Sequence, residues 1–308
     1  MTDMTFGDRL DRYLIKKGFR AQWPLLTLGL IEARRIAVAP RSYIEYRRAA
    51  RALVAGSKWA GFIPQADGYR LFSPVTFREL PQIVEASQTV FARHKAEVTD
   101  GEAYNKSYFF NILTIEDLRR HPVLVDFALS TAVTEAVTGY LGRIPRLNSV
   151  GVFYSSVNDT IDGSQMYHAD GDALTQVKCF VNVWDVGPGS GAFTFLPKPQ
   201  TSRVLRSGGL LKTISDEDVF RTVPEEKQVT VVGSPGSGVF VDTSRCLHQG
   251  SRAREQPRLV FQFQYVPRPD ALLARAPEKV VPGGHLLITR LLLEGLRFSN
   301  PNAMDFVD

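Results

Sequence analysis

The chain has 308 residues, 44% of them hydrophobic and 22% charged, the balance of a soluble globular protein long enough to bury a core without staples. Its net charge of +5 favours encounters with anions, but the 37 basic and 32 acidic residues are interspersed, and no basic run alternates with aromatics as a single-strand nucleic-acid surface requires. The longest apolar run, residues 23–31, is broken by Pro24 and Gly29 and too short for a bilayer, and a start carrying Asp3, Asp8 and Asp11 is not a signal peptide, so the expectation is a cytoplasmic protein with no membrane and no nucleic-acid partner.

In chain order, Phe6, Leu10, Tyr13 and Leu14 stand at helical spacing over residues 6–17, and a second, Arg-rich helix is expected from Ser42 to Ala55. Residues 64–74 read as a loop around the Asp67-Gly68 turn signal, and helical spacing returns from Thr76 to Glu97, interrupted near Pro81. His121-Pro122 starts the clearest helix. Its stripe of Val125, Phe127, Val133, Val137 and Leu141 runs to Gly142, with His121 either capping the entry or facing solvent.

After Gly142 the period changes from helical to alternating. Strands are expected at 150–154, 165–170, 176–186, 192–196, 228–232, 238–241 and 257–266, divided by the Gly/Pro-rich turns 187–191 and 233–238. Ser215 caps a short acidic helix, and a last helix is expected from Leu286 to Arg297. Many short strands with such turns suggest a sandwich or jelly roll. Cys179 and Cys246 fall in strand-like runs and read as inert thiols, and His94 and His285 as surface histidines.

Side chains on a strand repeat every two residues, so His168 and Asp170 project to one side, an imidazole and a carboxylate on one edge. His248, far downstream in strand-rich sequence, offers a second imidazole. Two histidines and one carboxylate on one face of a metal, with the other face open, form the facial triad of non-haem Fe(II) oxygenases. The strand 176–185 puts Gln176, Lys178, Phe180, Asn182 and Trp184 on a pocket-like face and Val177, Cys179, Val181 and Val183 on a core-like one. The strand 257–265 divides likewise, with Leu259, Phe261, Phe263 and Tyr265 against Arg258, Val260, Gln262 and Gln264. Arg258 either points into the barrel, where it needs an anion, or sits at the strand entrance pairing with Glu255 or solvent. Asp172 shares the parity of Asp170 but follows Gly171 and reads as a rim carboxylate.

From about Asn111 to Val266 these pieces resemble the phytanoyl-CoA dioxygenase family of Fe(II)/2-oxoglutarate oxygenases. They are the helix His121–Asp126 ending in Tyr140-Leu-Gly142, then Tyr167-His-Ala-Asp170, Asn182-Val-Trp-Asp185, Gly191–Pro197, His248-Gln-Gly250 and Arg258. The departure is Pro197-Lys-Pro-Gln200, where the family carries a Pro-Gly-Ser-His turn. The resemblance implies a mainly β chain with flanking helices, built on a double-stranded β-helix (a cupin-like jelly roll). It implies one oxygenase domain over 1–308: a mainly helical N-terminal segment (residues 1–110), the core 111–266 and a C-terminal extension 267–308. Iron would sit on His168, Asp170 and His248. The cosubstrate 2-oxoglutarate would lie on Arg258, with Trp184 in its pocket and Gln176, on the same strand face, beside it; O2 would be the second cosubstrate. Asp170 marks oxygen transfer or desaturation rather than halogenation, because family halogenases lack that carboxylate. Hydroxylation of a small organic substrate, with succinate and CO2 as coproducts, is the simplest outcome. The alternatives are desaturation, epimerisation or cyclisation, a CoA- or carrier-bound substrate met by the arginine-rich surfaces, or a non-catalytic jelly-roll binding protein.

Overall fold

The computed structural model describes residues 40–99, 108–171, 173–208 and 213–267, with a few positions between 30 and 37. The helices expected over 6–17 and 286–297, together with Asp172 and His285, lie outside the described residues.

Helix α1 (Pro40–Val54) starts on a proline whose fixed φ suits a first turn, keeps Arg47, Arg48 and Arg51 in solvent and packs Ala50 on Ile144. The expected loop at 64–74 instead contains strand β1 (Tyr69–Phe72). Gly68, at φ +81°, turns the chain, and the strand forms because Gly238–Val241 supplies its ladder, a partner that the local sequence does not reveal. Helix α2 (Leu80–Thr99) is continuous, because Pro81 falls in its first turn, where a missing N–H costs nothing.

After β2 (Phe110–Asn111), helix α3 (Ile115–Arg120) is fixed by a capping box: Thr114 Oγ1 accepts from the Asp117 N–H and Asp117 accepts from the Thr114 N–H. The single helix expected between His121 and Gly142 is two, α4 (Val123–Ala128) and α5 (Thr131–Leu141), because Ser130 is extended (φ −60°, ψ 151°). The Tyr265 hydroxyl takes the Ala128 carbonyl, the group a continuous helix would bond internally. Gly142 ends α5 in the left-handed region as expected, at φ +68°.

The remaining elements are β3 (Arg146–Ser155), β4 (Val177–Asn182), β5 (Thr194–Phe195), helix α6 (Lys198–Gly208), helix α7 (Asp216–Phe220), β6 (Val229–Thr230), β7 (Gly238–Val241), β8 (His248–Gln249) and β9 (Arg258–Val266). Helix α6 has no counterpart among the expected elements, and Ser215 caps α7 as expected. The main sheet runs β1-β7-β4-β9-β3-β2, the second β6-β5-β8, and His168 bridges to His248 as a fourth member of the second. From β3 onward the chain visits the sheets in the order main, second (His168), main (β4), second (β5 and β6), main (β7), second (β8), main (β9). That alternation is a double-stranded β-helix, and β1 and β2 extend its main sheet at the two edges.

The faces of the main sheet divide as the alternation dictates. Leu259, Phe261, Phe263 and Tyr265 of β9 and Val177, Cys179 and Val181 of β4 join a core closed by Leu80, Ile83, Leu124 and Phe127 from the helices. Each such large side chain contributes roughly 1.5–3 kcal/mol by leaving water. Between the sheets lies a smaller cluster of Phe180, Phe193, Phe195, Val239, Val241 and Val260, and outside the second sheet Tyr167 and Leu196 pack under Val204 of α6 and Val219 of α7. The interior between the sheets is therefore only partly apolar. Its remaining wall is polar. Among the described residues no helix is long and apolar enough to cross a membrane.

Candidate metal centre and anion pocket

His168 and His248 exchange both backbone hydrogen bonds, at 3.0 and 2.9 Å, so the two imidazoles stand side by side with ring centroids 4.3 Å apart. Asp170 is held two residues on by its N–H to the Thr243 carbonyl, at 2.9 Å. One ligand atom from each of His168, Asp170 and His248 lies within 4.8 Å of the others, the one such cluster among the described residues.

The tautomers follow from the neighbours. His168 Nδ1 lies 2.9 Å from the Met166 carbonyl and His248 Nδ1 lies 3.0 Å from the Cys246 carbonyl. A carbonyl only accepts, so each Nδ1 carries the proton and each Nε2 keeps a lone pair for a metal. Burial, together with the neighbouring His168, pushes His248 down to about 3, so it is a neutral imidazole at physiological pH. Phe193 packs on the His248 ring, at 5.3 Å between centroids, and stacks in turn on Phe180.

Asp170 has charged and neutral partners. Its Oδ2 lies 2.8 Å from Lys178 Nζ, accepts from Gln176 Nε2 at 3.1 Å and is 3.7 Å from His248 Nε2. Burial alone would raise this carboxyl, but the Lys178 ammonium outweighs it and holds the group far below the ordinary carboxylate range.

Gln176 is fully buried. Besides Asp170 it donates to Thr243 Oγ1 at 2.7 Å, and its Oε1 accepts from Gln264 Nε2 at 3.0 Å. Gln264 Oε1 accepts in turn from Asn148 Nδ2 at 3.1 Å. Gln176, expected beside a cosubstrate, thus has its amide hydrogen-bonded to Asp170, Thr243 and Gln264.

Arg258, the first residue of β9, is buried rather than exposed to solvent. It is 4% exposed; Nη2 reaches Ser251 Oγ at 3.4 Å, and Nε is buried with no hydrogen-bond partner. Burial alone pushes it down to about 10, with no carboxylate beside it. Ser251 is absent from the residues that the sequence singles out. It is the one non-glycine among the described residues at positive φ (63°), and Ser155 Oγ, its N–H to Gly191 and its carbonyl to Gln165 Nε2 pin it there. No pattern in the sequence marks such a residue.

Trp184 is not brought to this pocket. The strand ends at Asn182, so the alternation no longer governs it, and its ring packs on Phe91 (4.8 Å) and Tyr154 (6.1 Å) on the helix-covered side. His94 is likewise not a surface residue: at 7% exposure its Nε2 meets Asp117 Oδ2 at 2.8 Å. His121 sits at the C-terminal cap of α3, its N–H on the Asp117 carbonyl. Both cysteines are buried and free, and burial pushes both thiols up, as inert thiols require.

No family model matches the chain, and no curated protein does. Among solved structures, EctD from S. alaskensis with 2-oxoglutarate and 5-hydroxyectoine is 14% identical, with a TM-score of 0.48 over 79% of this chain and 87% of that one. SnoN, the non-haem α-ketoglutarate-dependent epimerase from nogalamycin biosynthesis, is 17% identical, with a TM-score of 0.43 over 76% and 92%. AviO1 from Streptomyces viridochromogenes Tue57 is 16% identical, with a TM-score of 0.45 over 70% and 96%. The jelly roll rests on the chain's own strand order.

Proposed function

We propose that the chain is an Fe(II)/2-oxoglutarate-dependent oxygenase of the phytanoyl-CoA dioxygenase type, acting on a small organic substrate. The observation that carries this reading is the donor set: two Nε2 atoms with their Nδ1 protons tied to carbonyls, and one carboxylate, all within reach of one ion. The donors are those that suit Fe(II), and the buried, carboxylate-free guanidinium of Arg258 suits the distal carboxylate of a keto-diacid.

In this reading His168, Asp170 and His248 hold the iron. Arg258 binds and orients the cosubstrate, steadied by Ser251. Phe193 and Phe180 exclude water from one side of His248. Bound iron would couple decarboxylation of 2-oxoglutarate by O2 to oxidation of the substrate; for hydroxylation, substrate, 2-oxoglutarate and O2 give the alcohol, succinate and CO2. The donor set serves several oxidations alike, and hydroxylation is the simplest of them.

The test is anaerobic Fe(II) titration followed by 2-oxoglutarate-dependent O2 uptake over a substrate panel. One iron per chain, lost in His168→Ala, Asp170→Ala and His248→Ala, is the expected result. Iron binding untouched by these changes, or no O2 uptake with bound iron and 2-oxoglutarate on any substrate, overturns the proposal.

A further inference from the structure

The pairing of Lys178 with Asp170 has no role in the reading above. Lys178 is on the inward face of β4, opposite Gln264 of β9 and Val241 of β7. Its ammonium lies 2.8 Å from the Asp170 oxygen that faces His248, and Asp170 is its one ion-pair partner among the described residues. The same oxygen accepts from Gln176 Nε2. An ion on the two imidazoles and this oxygen must therefore share it with two donors that already use its lone pairs.

The two donors differ in how easily they leave. Gln176 is locked by Thr243 and Gln264, so withdrawing it leaves buried amide atoms without partners. Lys178 has a flexible four-carbon stem and a side chain that reaches solvent (16% exposed), and it carries a charge of the same sign as the metal. Repulsion and flexibility both select Lys178 as the group that yields.

We propose that Lys178 is an internal competitor for the metal: its ammonium on Asp170 Oδ2 sets how tightly the two histidines and the carboxylate hold a divalent ion. This rests on the triad being the metal site. It makes Lys178 a positioning residue whose removal tightens metal binding, whereas loss of an ordinary supporting hydrogen bond weakens it.

The test is titration with Mn(II) alone, followed by the EPR signal of the free ion, without cosubstrate or turnover. Lys178→Met and Lys178→Gln are expected to bind Mn(II) at least about ten-fold more tightly than the unaltered protein, because a like charge no longer has to be displaced. Lys178→Arg, which keeps the charge, is expected to stay within about three-fold of it. Unchanged or weaker binding in both neutral variants, with native circular dichroism, overturns the proposal, as does Lys178→Arg binding as tightly as Lys178→Met. Absence of Mn(II) binding in the unaltered protein and in every variant sinks the triad itself, a result separate from a wrong sign at Lys178.

Discussion

Arg258 and Ser251 meet in the barrel interior through one long hydrogen bond, Nη2 to Oγ at 3.4 Å, and among the described residues that neutral hydroxyl is the guanidinium's one hydrogen-bond partner. A buried cation so poorly compensated lowers stability unless an anion joins it. The proposed role for Arg258, to bind the keto-acid, supplies that anion.

Arg258→Met is accordingly expected to leave the melting temperature unchanged or raised. The same change is expected to weaken 2-oxoglutarate binding in the presence of Mn(II) by about 30-fold or more, the loss of a desolvated charge pair. Calorimetric titration and thermal melting measure the two effects. A variant that binds the keto-acid normally removes Arg258 from the site.

Gln176→Leu deletes the donor to Asp170 and Thr243 and leaves Gln264 Nε2 facing a methyl group. Unsatisfied buried groups of this kind cost about 1–3 kcal/mol, read from denaturant unfolding. Because the amide also fixes the carboxylate, metal affinity is expected to fall by about 10–100-fold. Gln176→Glu, with a second charge beside Asp170, is expected to destabilise further.

Ser251 separates backbone from side chain. Ser251→Gly removes the penalty of a left-handed non-glycine residue, while Ser251→Ala keeps it; both lose the hydroxyl that Ser155 and Arg258 use. The glycine variant should be more stable than the alanine variant by about 1 kcal/mol, with 2-oxoglutarate affinity reduced similarly in both. Equal stabilities would remove the backbone argument.

Asp117, buried under Thr114, His94 and Arg93, supplies a pH dependence. Burial would raise its carboxyl, but the Thr114 hydrogen bonds and His94 prevail and lower it below 3.8. A depressed folded value means the contribution is complete above the unfolded value and lost as pH falls through the folded one. Asp117→Asn should therefore be less stable by about 1–3 kcal/mol at pH 7. The deficit should shrink below pH 4, measured by urea unfolding across pH. A deficit constant from pH 7 to pH 3 contradicts the assignment.

What could be read directly from the chain was its periodicity. Two-residue alternation separated the helix-covered and interior faces of 176–183 and 257–265 correctly, because side chains of a strand in a two-sided sheet have only two destinations. Residues 165–170, expected as a strand, form only isolated bridges at Tyr167 and His168, and His168 and Asp170 come together with His248 through those bridges and the Asp170 N–H bond to Thr243. The tertiary structure decided matters where that rule stops or where a partner is remote. Trp184 escapes the alternation two residues past the end of its strand, and β1 exists only because β7 offers it an edge. His94 is buried because Asp117 is there to receive it, and Ser251 is held at positive φ by contacts from distant segments. The pairing of Lys178 with Asp170 requires a turn of the chain between them. Local sequence determines where a side chain points relative to its own backbone; which charge or carbonyl it meets depends on segments far along the chain, and only their packing brings these together.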